Sequence, residues 1–251
     1  MPTPAFIWYE LMTTDVKAAE AFYTKVVGWT AKDAGGPNAG YTLLLTPAGG
    51  VAGMMPAFEG GPPPVWMGYV AVDDVDARTR KVSELGGSVH KPPQDIPEVG
   101  RFSVVADPQG AVFMLLQPTG EGTTPRGGPQ EPGYFGWREL TAADSEAALD
   151  FYVELFGWTT LEPFDMAPMG KYRLFAAGGP EPHGGMMTKP ADIPRPFWSY
   201  YVQVDSIEAA KGRVESAGGQ VINGPLEVPT GQWILQAVDP QGAMFCLTGP
   251  K

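Results

Sequence analysis

Histidine is nearly missing from this chain: His90 and His183 are the two among 251 residues. Cysteine is rarer still. Cys246 stands alone, so no intrachain disulfide can form, and a reducing compartment, the cytoplasm, is the expectation. Basic residues are few as well, with Lys+Arg at 17 against Asp+Glu at 28 and a net charge of −11. That balance excludes a nucleic-acid backbone or an anionic membrane surface as partner, since both attract clustered Lys and Arg. No apolar run approaches a membrane span, and the first residues lack the basic segment and apolar run of a secretory signal.

What is present in quantity is apolar residues and turn residues. Hydrophobic content is 43% and charged content 18%, which excludes disorder and allows two cores. Gly 33 and Pro 27 fit many short strands and turns, with none of the regular glycine spacing of a fibrous protein.

The dominant feature is an internal repeat. Phe6 to Trp29 reads FIWYELMTTDVKAAEAFYTKVVGW, and Phe135 to Trp158 reads FGWRELTAADSEAALDFYVELFGW. Trp8, Glu10, Asp15, Phe22, Tyr23 and Gly28-Trp29 fall on Trp137, Glu139, Asp144, Phe151, Tyr152 and Gly157-Trp158. Each copy reads as a short strand, a helix capped by Asp (in the first copy by Thr14 or Asp15) and stopped by Gly, and then further strands separated by turn residues. A weaker copy follows each. Trp66, Asp73 and Gly86-Gly87 recur as Trp198, Asp205 and Gly218-Gly219, Asp107-Pro-Gln-Gly-Ala recurs from Asp239, and Gly53-Met54-Met55 has its partner in Gly185-Met186-Met187. The prediction is an α+β chain of four βαβββ modules in two domains, 1–118 and 133–251. A Gly/Pro-rich linker without apolar periodicity, 119–132, joins them.

The order strand, Asp, helix, Phe-Tyr, Gly-Trp, then strand, Asp-Asp-Val-Asp, helix, Gly-Gly, then Asp-Pro-x-Gly, resembles the vicinal oxygen chelate superfamily. That group includes glyoxalase I, extradiol dioxygenases and bleomycin-resistance proteins, and the similarity covers nearly the whole chain. It implies glyoxalase-like sheets, each curled around a ligand cleft. It also implies, for the enzymes of the group, a divalent metal held by His and Glu. In the register of the resemblance those ligand positions carry Trp8 and Trp137, Met67 and Ser199, Met114 and Cys246, and residues near Met54-Met55 or Met186-Met187. Indole is no donor to hard metals and thioether sulfur suits soft ones, so the expectation is no metal and no other cofactor.

The strand pattern places Glu10 two residues past Trp8, and Glu139 two past Trp137, so each carboxylate shares a face with an indole. A carboxylate beside indole and Met is a candidate general acid/base or ligand anchor, which makes Glu10 and Glu139 the candidate catalytic residues. The alternative is a turn cap or a pair with Arg138 or Arg101. The expected ligand-binding set is Trp8, Met67, Tyr69 and Met114 in the first half and Trp137, Ser199, Tyr201 and Cys246 in the second. The first wall is apolar and polarizable, and the second brings a hydroxyl and a thiol. Core packing is the competing use of the same residues. The expected activity is binding of a small, partly aromatic molecule by a monomer or homodimer. The alternatives are a metal-dependent lyase or hydroxylase/dioxygenase of the same family, and a structural or protein-interaction module with filled clefts.

Overall fold

The computed structural model describes residues 3–120, 127–167 and 170–251. The expected linker therefore falls partly, at 121–126, outside the described residues. The first module runs β1 (Phe6–Thr13), α1 (Val16–Val27), β2 (Thr30–Asp33), β3 (Thr42–Thr46) and β4 (Gly49–Pro56). The second is β5 (Val65–Ala71), α2 (Val75–Glu84), β6 (Ser88–Ile96), β7 (Gly100–Ala106) and β8 (Val112–Pro118). The third is β9 (Phe135–Ala142), α3 (Ser145–Phe156), β10 (Thr159–Thr160), β11 (Phe164–Asp165), β12 (Lys171–Ala176) and β13 (Gly184–Thr188). The fourth is β14 (Phe197–Gln203), α4 (Ile207–Ser216), β15 (Gln220–Glu227), β16 (Trp233–Val238) and β17 (Met244–Gly249). The α+β plan of repeated modules read from the sequence is the plan of the chain. The departure is in the third module, where a two-residue β10 stands in for β2 and an extra short strand, β11, pairs with β12.

Local chemistry sets the helix limits. Asp15 sits in extended backbone and accepts from the Ala18 amide, and Asp144 accepts from Glu146 and Ala147, so each carboxylate satisfies an orphan first-turn N–H. Gly28 and Gly157 end the same helices in the left-handed region, at φ 90° and 71°, where a β-carbon would be strained. The buried faces are Ala19, Phe22, Tyr23 and Val26 on α1, and Ala148, Leu149, Phe151, Tyr152, Leu155 and Phe156 on α3. Among the described residues no helix is long and apolar enough to cross a membrane.

The strands form two sheets, in the orders β2-β3-β4-β1-β5-β8-β7-β6 and β10-β12-β13-β9-β14-β17-β16-β15. In each module the helix crosses from the first strand to a later parallel one. Thus β1 pairs parallel with β4 at Glu10↔Gly53, and β9 with β13 at Glu139↔Gly185. At one end of each sheet, β6 and β15 are mostly exposed and carry Pro92-Pro93 and Pro225 with register shifts, which blunts them against pairing with another chain.

By backbone contacts the chain divides into two compact units. One takes the second and third modules, the other most of the first module and the fourth. Each has its own aromatic core. In the first unit Trp158 stacks on Phe175 with centroids 4.3 Å apart and on Tyr152 at 5.4 Å. In the other unit Tyr23 meets Trp66 edge-on at 5.3 Å and Phe245 at 5.4 Å.

The repeated Phe-Tyr and Asp-Pro-Gln-Gly motifs meet in those cores. Gly110 N–H donates to the Asp107 carbonyl at 3.0 Å, closing the turn as its residues foretell. Asp107 Oδ1 accepts from the Gln109 and Ala111 amides, both at 2.9 Å, and its Oδ2 accepts from Tyr152 Oη at 3.2 Å. Trp198 Nε1 in turn donates to Tyr152 Oη at 3.0 Å. The other unit repeats this with Trp66 donating to Tyr23 at 2.9 Å and Tyr23 to Asp239 at 3.0 Å. Helix tyrosine and turn aspartate come from different modules of one unit, so the motifs mark a buried polar tie. Burial pushes the Asp107 carboxyl above its ordinary range, partly offset by its amide donors.

Candidate functional site

Glu10 is 7% exposed in the middle of β1, an expensive place for a carboxylate without a donor. Its partner is Tyr41, at the head of β3, whose hydroxyl hydrogen-bonds to it. Tyr41 Oη also accepts from Trp8 Nε1 at 2.9 Å. Trp8, Glu10 and Tyr41 therefore share one face of the sheet, the face opposite Tyr9, which stacks on Phe135 with centroids 3.6 Å apart. Burial, and then the nearby Glu10 carboxylate, push the Tyr41 hydroxyl well above the usual phenol pKa, so it keeps its proton at neutral pH.

A glycine makes this contact feasible. Gly53 is the register partner of Glu10, and a β-carbon there would overlap the Tyr41 ring and hydroxyl. The phenol reaches the carboxylate by lying flat across the strand. Trp8 does the same over Gly50, where a β-carbon would sit 3.2 Å from the indole edge.

The third module rebuilds the arrangement. Tyr172 Oη on β12 donates to Glu139 Oε2 at 2.8 Å, and a β-carbon on Gly185, the register partner of Glu139, would overlap the Tyr172 ring. Glu139, less enclosed than Glu10, is half-buried. Trp137 is half-buried on the same strand, two residues before it. Arg101, one of the alternative partners for these carboxylates, is taken up by Asp76 and Asp95, at 2.7 and 2.9 Å.

The other expected residues fall into two further groups. Met67 and Tyr69 alternate onto one face of β5, and Tyr69 is the register partner of Met114 on β8. Tyr69 tilts against Phe102 at 6.4 Å, and Lys91 Nζ stands 5.0 Å over the Phe102 ring, completing an apolar, aromatic wall. At the matching place in the fourth module the wall is polar. Cys246 is register partner to both Tyr201 and Gln236, and Gln236 Nε2 donates to Tyr201 Oη at 2.8 Å across it. Asn223 Nδ2 donates to Gln236 Oε1 at 3.1 Å, so an amide relay runs from an exposed edge strand to a buried phenol. The thiol is buried beneath that bridge. Ser199 is buried on β14, and its hydroxyl has no hydrogen-bond partner among the described residues.

Sequence reasoning found the glutamates and missed Tyr41, Tyr172, Gln236 and Asn223. The signal for the tyrosines was available, because Tyr41 and Tyr172 stand at nearly matching distances, 12 and 13 residues, ahead of Gly53 and Gly185 in the two Gly-Met-Met segments. The amide relay had no such signal, since Val104 and Lys91 occupy its positions in the second module.

The positions where the resemblance implies metal ligands do not form a donor set for a hard cation. They supply indole, thioether, one hydroxyl and one thiol. Register also settles which methionines lie on the glutamate face: Met55 and Met187, beyond Gly53 and Gly185, whereas the fully buried Met54 and Met186 point the other way. Among the described residues no three His, Cys, Asp or Glu gather at one point.

The family model for the Glyoxalase/Bleomycin resistance protein/Dioxygenase superfamily matches residues 5–115 and 134–247. The glyoxylase-like protein CFP32 of Mycobacterium tuberculosis is 37% identical over 97% of this chain and 94% of its own length. The anthracycline biosynthesis protein DnrV of Streptomyces peucetius is 34% identical over 95% of this chain and 90% of its own. Among solved structures, the Mn(II)-bound glyoxalase from Novosphingobium aromaticivorans superposes with a TM-score of 0.68 at 16% identity, covering 99% of this chain and 82% of that one. The 2,3-dioxygenase LapB from Pseudomonas sp. KL28 gives 0.68 at 12% identity, covering 99% and 93%. With both repeats matched and relatives aligned nearly end to end, the chain belongs to the Glyoxalase/Bleomycin resistance protein/Dioxygenase superfamily.

Proposed function

We propose that this protein holds a small, partly aromatic molecule in each half and does so without the metal its family's enzymes use. The observation that carries the reading is the twice-built pair of Glu10 with Tyr41 and Glu139 with Tyr172, each on the sheet face of a tryptophan at a position where the family resemblance implies a ligand donor. Such a face offers a polar anchor in apolar, stackable surroundings, which is how small-molecule sites are built. The apolar wall of Tyr69, Phe102 and Met114 suits a ring system, and the Tyr201–Gln236–Asn223 relay suits a ligand with hydroxyl or carbonyl groups. Two relatives named for anthracycline biosynthesis support fused-ring aromatic ketones and phenols as the first probes. The setting we assign is the cytoplasm, with the protein acting as a monomer or homodimer.

The test is a thermal-shift screen of fused-ring ketones and phenols on the full chain. A ligand at about 100 times its Kd adds about 2.7 kcal/mol of stability. Glu10→Gln and Glu139→Gln should reduce that shift and leave the ligand-free melting temperature in place. A screen in which nothing stabilises the protein returns these faces to core packing. Elemental analysis decides the competing metal-enzyme reading, which the names of the glyoxylase-like relatives favour. Stoichiometric Fe, Mn, Ni or Zn in the purified protein overturns the metal-free site.

A further inference from the structure

We propose that Phe164 sets the ring preference of the third-module site, so that this half, unlike the first, selects fused aromatic systems over single rings. The proposal rests on the ligand reading above and gives one of the two sites a narrower ligand class.

The first and third modules differ beside the tyrosine. In the first, β2 pairs with β3 without interruption from Thr30↔Leu45 to Asp33↔Thr42, and the Ala34 amide donates to the Tyr41 carbonyl at 2.8 Å. A methyl group therefore stands next to Tyr41. In the third, Thr160 is opposite Phe175 and Phe164 is opposite Tyr172, so four residue steps on one strand answer three on the other. The extra residue is a bulge between β10 and β11, and it reverses which face the following side chains take. Without it Phe164 would pair with Lys171 and point away. With it Phe164 shares the face of its partner Tyr172.

The short strand β11 is held there by its own chemistry. Asp165 pairs with Lys171 in the ladder, and its Oδ1 accepts from the Ala167 amide at 3.0 Å. Tyr172 leans away from β11, over Gly185 on β13, to reach Glu139 Oε2 at 2.8 Å. Phe164, 40% exposed, stands at the outer end of that face. A lone exposed apolar side chain is ordinary, but a bulge that turns one onto the face of a carboxylate–phenol pair re-aims it toward what the pair holds.

Distance converts this placement into a preference. From β9, which carries Glu139, across β13 and β12 to β11 is three strand spacings, about 14 Å in all. A single ring hydrogen-bonded to the Glu139–Tyr172 pair ends short of Phe164. Three fused rings extend to it and lie against it in the offset or edge-on contact that aromatic pairs favour. In the first module the same ligand meets only the Ala34 methyl group at that place.

The probes are 2-hydroxyanthraquinone and phenol, titrated into the full-length protein, with binding followed by ligand absorbance and fitted to two sites. In Phe164→Ala one of the two constants for 2-hydroxyanthraquinone should weaken about tenfold, the size of one lost ring contact with its buried area, and the other should stay within about twofold. Phenol should bind this variant as it binds the parent. Phe164→Tyr keeps the ring and should hold 2-hydroxyanthraquinone to within about twofold of the parent. Two unchanged constants in Phe164→Ala, an equal loss for phenol, or a loss in Phe164→Tyr as large as in Phe164→Ala overturns the proposal. Binding by the parent with no change in the alanine variant removes the role of Phe164 alone. A parent that binds neither probe removes the ligand reading and this preference with it.

Discussion

Tyr152 donates its hydroxyl proton to Asp107 Oδ2 at 3.2 Å, joining the helix of the third module to the turn of the second. With Trp198 donating to the same hydroxyl, a chain of indole, phenol and carboxylate runs through the core of one unit, and Trp66, Tyr23 and Asp239 form its counterpart in the other. Polar groups at that depth are stabilising when fully paired and costly when one partner is removed.

Tyr152→Phe keeps the ring and removes the oxygen, which takes a donor from Asp107 and an acceptor from the Trp198 indole. Urea denaturation should show a loss of about 1–3 kcal/mol, with a similar loss for Tyr23→Phe. Because the two chains sit in separate units, the double variant should lose the sum of the single losses. A change within a few tenths of a kcal/mol for either single variant would mean that water replaces the lost partner.

Asp107 carries a pH signature. Its folded carboxyl pKa lies above the ordinary 3.8, through burial first, so the folded state binds the proton more tightly than the unfolded one. Such a group contributes most below the unfolded pKa, and its share is lost as pH rises through the folded value. Asp107→Asn has no such proton. As pH rises from below 3.8 through the raised folded value, the parent should lose stability relative to this variant, read from denaturation midpoints.

Gly53→Ala and Gly185→Ala test the glutamate sites from the backbone side. Either methyl group overlaps a tyrosine ring, so the ring must leave its carboxylate. The expected cost is about 1–3 kcal/mol of stability, typical of overpacking. Ligand stabilisation in the altered half should be lost at the same time. An unchanged thermal shift on both variants would separate the tyrosines from binding.

Gln236→Val makes the fourth-module wall match the second, where Val104 occupies the place. The hydrogen bond to the buried phenol and the one from the exposed Asn223 amide are both lost, which should cost about 1–2 kcal/mol by chemical denaturation. Ligands bearing hydroxyl or carbonyl groups should lose more affinity than bare ring systems of equal size. Equal losses for both classes would mean that the relay holds the wall and does not select the ligand.

The sequence on its own determined the module plan, because its signals are local. An Asp ahead of an apolar helical stripe and a Gly behind it mark a helix wherever they fall, and the repeat states that pattern twice. It also placed Glu10 and Glu139 beside tryptophans, since strand alternation is fixed at two residues. Tertiary structure alone decided what those carboxylates touch. Tyr41 reaches Glu10 because β3 lies next to β4 and Gly53 leaves the strand bare between them, a juxtaposition set by sheet order and register. In the same way the turn aspartates are indistinguishable in sequence from ordinary turn formers. They gain tyrosine partners because the second module packs with the third and the first with the fourth. That pairing depends on how buried faces fit one another, and no stretch of one module encodes it.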